Sequence, residues 1–307
     1  MSRKKRIVNR IPLDSSEKVV IVISYVVLTL FALIAILPCL HVVSKSLSAG
    51  TSVTAGKVYF WPVGIQFDTI KYVLTKTSFF TSLKNSLIIT VLGTAIAMFS
   101  TITTAYPLSK PAFKGRKVIT LLYVISMVFF GGIVPAYMVV QTLGLLDTYW
   151  GCILPFAIVQ FNMFLVKNYF ESLPSHVEES AQIDGANDVR TLVSIVLPMS
   201  KPVIATVALL YAITYWNNYF HAMMYTKSSS MRTMQLYLYD IINNGQAFAE
   251  NLYSGSMGSA TGGISNNVTT DGMVAAAVTM SIVPIIAAYP FIQKFMIQGI
   301  TLGSVKG

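Results

Sequence analysis

The chain has 307 residues, 54% of them apolar and only 11% charged, and a formal net charge of +10. A soluble domain carries about 25% charged residues, so this composition argues against a soluble enzyme or binding domain and for a protein that crosses a membrane several times. The basic residues lie in short clusters between apolar runs rather than in one patch, which argues against a nucleic-acid partner and reads as a topology signal.

Segment 1–18 is basic, and the apolar run after it is long enough to span a bilayer with no small-residue cleavage site behind it. It is read as a retained first helix rather than a removed signal. Six windows supply the roughly 20 apolar residues a spanning helix needs: 19–40, 85–109, 118–146, 148–166, 202–226 and 272–293. Within them the spans are expected near 19–40, 85–106, 118–140, 149–166, 202–224 and 273–293, leaving a polar loop at 167–201 and a tail at 294–307. Lipid offers the backbone no hydrogen-bond partner, so the spans must be helical. The windows also lack the polar face that a helix of a soluble core shows every 3.6 residues. The fold class expected is an all-α, six-span membrane protein.

Orientation follows from lysine and arginine. With the N-terminus cytoplasmic, that side holds fifteen of the twenty-two basic residues, including Arg3, Lys4, Lys5, Arg6, Lys110, Lys114, Arg116, Lys117 and Lys201. Both termini and the 167–201 loop are then cytoplasmic. Of the two long outer segments, 41–84 carries several aromatic residues, such as Trp61, Phe67 and Tyr72. The other, 227–271, is rich in Gly, Ser, Asn and Thr and is expected to be partly mobile. Cys39 and Cys152 sit inside apolar runs and read as small packing residues. In the third window, Gly131, Gly132 and Pro135 allow a kink or a close helix contact.

The 167–201 loop is too charged to span and long for a connection without a task. Ser175 stands three residues before Glu178, a capping-box spacing that predicts a helix starting at His176. Gly185 can end it, because glycine accepts the left-handed conformation of a C-terminal cap. Val177, Ala181 and Ile183 offer a small apolar face against Glu178, Glu179 and Asp184. A second helical pattern follows in Leu192, Ile195, Val196 and Met199, with Pro198 and Pro202 marking entry to the fifth span. Helices that rest on lipid headgroups carry Lys and Arg. An acidic one is better suited to a groove in a cytoplasmic protein.

Glu178-Glu179-Ser180-Ala181-x-x-Asp184-Gly185-Ala186, followed by Leu197-Pro198-x-x-x-Pro202, resembles the EAA loop of ATP-binding-cassette importer permeases. It departs from that pattern at Glu179, where alanine is common, and at Ser180. The ending Gln298-Gly299-Ile300-Thr301-Leu302-Gly303-Ser304-Val305-Lys306-Gly307 is similar to the G-x-T-x-G-x-V-K-G ending of sugar-importer permeases, most of all the smaller maltose-type subunit and complex-oligosaccharide permeases of Gram-positive bacteria. The resemblance implies a type I importer fold in a bacterial cell membrane. Glu178, Glu179, Ala181, Asp184, Gly185, Ala186, Leu197 and Pro198 would couple to a cytoplasmic ATPase dimer, and Gly299, Thr301, Gly303 and Lys306 would reach it through the tail. It also implies a second six-span permease, an extracellular sugar-binding protein, and alternating access driven by ATP and magnesium on the partner ATPase, with no cofactor on this chain.

No catalytic constellation stands out. His41, His176 and His221 have no evident nucleophile or metal partners, and no G-x-x-x-x-G-K-[ST] phosphate loop occurs, so hydrolysis is expected on another chain. For the substrate path, Tyr215, Trp216, Asn217 and Asn218 combine aromatic faces, which suit a sugar ring, with amides that donate and accept. An aromatic belt or polar contacts between helices would use the same residues. The windows hold no acids of the kind that mark ion pathways. An ion-coupled transporter, a permease of the same type for a non-sugar solute and a membrane scaffold remain the alternatives.

Overall fold

The computed structural model describes residues 15–129, 131–243 and 268–304, and every regular element among them is helical. In chain order these are α1 (Ser15–Ser46), α2 (Gly50–Thr54), α3 (Asp68–Lys76), α4 (Phe79–Ser109), α5 (Arg116–Val128), α6 (Ile133–Thr142) and α7 (Tyr149–Ile153). A 3-10 turn (Leu154–Phe156) leads to α8 (Gln160–Glu171), α9 (Ser175–Ile183) and α10 (Asp188–Thr191). A π turn (Leu192–Val196) joins α10 to α11 (Leu197–Met199), followed by α12 (Lys201–Trp216), α13 (Phe220–Tyr225), α14 (Met234–Asn243) and α15 (Thr270–Ser304).

Among the described residues, three helices are long and apolar enough to cross a membrane alone: α1, α4 and the 270–287 part of α15. Three bent pairs qualify together: α5 with α6 at 116°, α7 and its 3-10 turn with α8 at 49°, and α10–α11 with α12 at 85°. The third window is therefore not one straight span. Gly132 has φ +93°, outside the range a right-handed helix can use, and the chain folds back there. The second helix starts at Phe79 rather than at residue 85. With 31 residues it is about 46 Å long, more than the roughly 30 Å of hydrocarbon, so Lys84 fits inside it. The fifth helix stops at Trp216, ten residues before the end of its window at Thr226. The expected mobile stretch 254–267 lies outside the described residues, but Met234–Asn243 is helical, with Met234, Tyr237 and Ile241 buried along one face.

Two cores hold the helices. In the first, α4 packs on α12 and α8 around Ile89, Ala97, Met163, Val166, Val207 and Tyr211. The break between α7 and α8 frees backbone groups that lipid could not satisfy, and α12 satisfies two of them. The Ile153 carbonyl accepts the Tyr215 hydroxyl at 3.0 Å, and the Val159 N–H donates to the Tyr211 oxygen at 3.0 Å. Tyr211 also bonds Thr101 of α4 at 2.7 Å, so one hydroxyl ties three helices. The second core joins α3, the start of α4, α14 and α15 through Val73, Phe79, Met234, Tyr237 and Met273. Asn85 secures it: its amide donates to the Ser230 and Arg232 carbonyls at 2.7 and 2.9 Å, and its carbonyl accepts Tyr149 at 2.8 Å.

A carboxylate clasp closes the same end. Asp147, at φ +59°, accepts the backbone N–H groups of Lys227 and Ser228 at 3.0 and 2.9 Å and the Ser228 hydroxyl, while its own N–H donates to the Tyr225 carbonyl at 2.7 Å. The Ser228 hydroxyl, and after it the Ser228 N–H, holds this carboxyl below its ordinary value. A depressed pKa stabilises the fold above the unfolded value of about 3.9, and that contribution is lost as pH falls through the folded value. Asp147→Asn should therefore melt below the wild type at pH 7 in detergent, and the gap should close only below about pH 4. A gap unchanged by acid would mean that the charge does not hold the clasp.

Candidate functional site

The hairpin α9–α11 is built on the ends of α4, α5 and α8. Lys167, buried near the end of α8, donates to Glu171 at 2.8 Å, and the same Glu171 oxygen takes Arg116 from the first turn of α5. Helix α9 then begins at Ser175, one residue earlier than expected, and no side chain caps it. The capping box is not made because Glu178 turns the other way and pairs with Lys110, the residue that caps the C-terminus of α4. Lys110 also lies 4.7 Å above the Tyr106 ring. These residues, with Phe113 and Phe170, line a groove of about 990 Å³ beneath the hairpin.

Gly185 ends α9 as expected, with φ +80°. Its N–H reaches the Gln182 carbonyl at 3.0 Å, and the Ala186 N–H reaches the Ala181 carbonyl at 2.9 Å. This double bond pattern is the Schellman cap, and it needs a left-handed residue at that one position. Asn187 then starts α10 by accepting the Arg190 N–H at 2.8 Å, a cap the pattern of Leu192 and Ile195 did not reveal. Ala181 is buried against the body, while Glu179 and Asp184 are exposed. Ile183 does not join the inner face: it is 86% exposed, because two residues past Ala181 a helix has turned about 200°. Val189 and Val193 are exposed apolar residues as well.

The hairpin joins α12 through a bend that stays hydrogen-bonded. The Ser200 N–H reaches the Val196 and Leu197 carbonyls at 2.9 and 3.1 Å, and its carbonyl accepts Ile204 at 3.0 Å. Pro202 sits in the first turn of α12, where a missing N–H leaves no bond unmade, and Pro198 follows the π turn in α11. Leu197 is half-buried and Pro198 exposed. The Tyr169 hydroxyl ties α8 to the Met199 carbonyl at 3.3 Å. The chain from α9 to α12 is thus hydrogen-bonded without a gap at the bend.

At the other end of α12, Tyr215 is a scaffold residue, buried with its hydroxyl on Ile153. Trp216 is half-buried, and its indole N–H has no partner among the described residues. Asn217 is exposed, whereas the Asn218 side chain caps α13 by accepting the His221 N–H at 3.2 Å. Gly299, Thr301 and Gly303 lie on the last turns of α15, which runs on through the expected tail; Lys306 lies outside the described residues. Cys39 and Cys152 are free thiols.

Residues 19–301 match the family of binding-protein-dependent transport system inner membrane components. The chain belongs to that family. Protein LplC of Bacillus subtilis (strain 168) is 40% identical over 276 residues, 89% of this chain and 90% of that protein. The polygalacturonan/rhamnogalacturonan transport system permease protein YtcP of the same organism is 40% identical over 283 residues, 92% of this chain and 96% of its own length. The crystal structure of a bacterial ABC transporter involved in the import of the acidic polysaccharide alginate contains a chain with a TM-score of 0.83 and 35% identity, covering 93% of this chain and 99% of that one. The resemblance carried by the EAA-type loop is thereby borne out, and this member of the family is an ABC importer permease.

Proposed function

We propose that this permease subunit pairs with a second six-span chain to form the path for an oligosaccharide delivered by an extracellular binding protein. YtcP and the alginate importer both handle polymers of acidic sugars, which supports a uronate-containing oligosaccharide as the first cargo to test. In this reading both termini and the 167–201 loop are cytoplasmic. The exposed Glu179, Ile183, Asp184 and Val189 meet a partner ATPase that holds ATP and magnesium, and the end of α15 with Lys306 reaches the same partner. Trp216 and Asn217 border the cargo path. The observation that carries the reading is the Schellman-capped hairpin, pinned to α4 through Glu178 and continuous with α12. The test is purification in mild detergent followed by uptake assays. An ATPase and a second six-span chain should accompany this one, with uptake of oligogalacturonate or alginate fragments dependent on ATP. A lone homodimer, or uptake that persists without ATP, would overturn the proposal.

The same reading assigns Glu178 to positioning rather than docking. Reversing either charge alone, in Lys110→Glu or Glu178→Lys, leaves two like charges facing each other and should lower uptake about tenfold. The double swap should recover most of it, because residues in direct contact couple by about 0.5–3 kcal/mol. If the double variant is as poor as the worse single one, Glu178 acts on the partner and the pinning role is wrong.

A further inference from the structure

We propose that Tyr219 and Tyr239, together with the Asn217 amide, form a pyranose-binding shelf at the end of α12 remote from the α9–α11 hairpin; the ligand class rests on the oligosaccharide reading above. Most tyrosines around this end are committed to the fold. Tyr211 and Tyr215 serve the α7–α8 break, Tyr149 holds Asn85, and Tyr237 holds Thr77 at 2.8 Å. Tyr219 and Tyr239 differ. Their rings stack on each other with centroids 5.3 Å apart and planes 21° from parallel. They remain 41% and 38% exposed, and neither hydroxyl has a hydrogen-bond partner among the described residues.

The pair is held from two sides. Tyr239 stands on α14, whose opposite face is buried through Met234, Tyr237 and Ile241, and the neighbouring Asp240 is pinned by Arg232. Tyr219 follows the break at Asn217 and Asn218, where α13 is set by the Asn218 cap. That cap uses one amide and leaves the other, Asn217, exposed two residues before Tyr219. The result is a preset aromatic surface with two free phenols and one free amide. A pyranose offers a C–H face that packs on aromatic rings and hydroxyls that both donate and accept, which is the complement of this set. A belt tyrosine at a membrane interface needs neither a stacked partner from another helix nor an adjacent amide.

The test uses proteoliposomes holding the importer purified with its accompanying subunits and binding protein. The probes are trigalacturonate, an alginate trisaccharide and maltotriose, and the readout is sugar imported per ATP hydrolysed. Tyr219→Leu and Tyr239→Leu keep apolar bulk but remove the aromatic face. Each should lower the ratio about two- to tenfold, the range an aromatic contact contributes. Tyr219→Phe and Tyr239→Phe, which keep the ring, should stay closer to the wild type. An interface or packing role would lower import and hydrolysis in parallel, leaving the ratio unchanged, and that result would overturn the shelf. If the wild-type importer moves none of the three sugars, the oligosaccharide reading falls instead, and the shelf's ligand falls with it.

Discussion

Gly185→Pro should abolish import while leaving the chain inserted in the membrane. Two independent features of the turn demand this. Proline fixes φ near −65°, whereas Gly185 sits at +80°. Proline also lacks the N–H that Gly185 donates to Gln182. Both Schellman bonds are lost, so α10 no longer returns along the body and the route from α9 to α12 is cut. A loss of about 3 kcal/mol, read through a coupling step, corresponds to more than about 100-fold in uptake. Smaller substitutions grade the effect. A side chain at Gly185 would meet nothing within 4 Å, so Gly185→Ala costs only backbone strain, about 1–2 kcal/mol. Gly185→Asn should cost least, since asparagine visits the left-handed region more readily. Uptake per inserted chain should then follow Gly, Asn, Ala, Pro in descending order. A proline variant that imports at the wild-type rate would remove the hairpin from the coupling path. An alanine variant as poor as proline would show instead that the space open around Gly185 in the single chain is filled by the ATPase.

What could be read from the sequence was local, and what could not was long-range. Gly185 was legible because a positive φ is a demand on one residue, and the acids around it marked a loop that lipid would reject. The Glu178–Lys110 pair was not: the partners lie 68 residues apart, and the same Glu178 satisfied a capping-box spacing that the fold does not use. Hydropathy likewise saw one span across residues 148–166, because a run of apolar residues looks the same whether or not its backbone breaks. The break shows only in Pro155 and in the two tyrosines of α12 that repair it, and the chemistry of Tyr215 alone suits a sugar as well as it suits this repair. Charge misleads at Lys84: it bounds the apolar window that opens at residue 85, although the helix extends six residues before Asn85. Helix α14 could have been found. Met234, Tyr237 and Ile241 recur at helical spacing, but the polar composition of the segment as a whole obscured them.

Gly93→Val should destabilise the helix bundle more than any change at an exposed position, and the cause lies in Tyr215. A Cβ on Gly93 would stand 2.8 Å from two atoms of the Tyr215 ring and 2.9 Å from a third. That ring cannot give way cheaply. It is 2% exposed, the Phe156 ring meets it edge-on at 6.3 Å, and its hydroxyl holds the Ile153 carbonyl. Either α4 and α12 separate, an overpacking cost of about 1–3 kcal/mol, or Tyr215 leaves. In the second case the Ile153 carbonyl, on a fully buried residue, loses its partner at a helix break, a further cost of about 1–3 kcal/mol. Tyr215→Phe isolates that second loss, because it removes the hydroxyl and keeps the ring. Thermal unfolding in detergent should therefore rank the wild type above Tyr215→Phe, and Tyr215→Phe above Gly93→Val. The same pair separates scaffold from path. Tyr215→Phe should lower the melting temperature and leave the choice among sugars unchanged, since its hydroxyl faces a neighbouring backbone. A shift in sugar preference at unchanged stability would return Tyr215 to the path and require α12 to turn during transport.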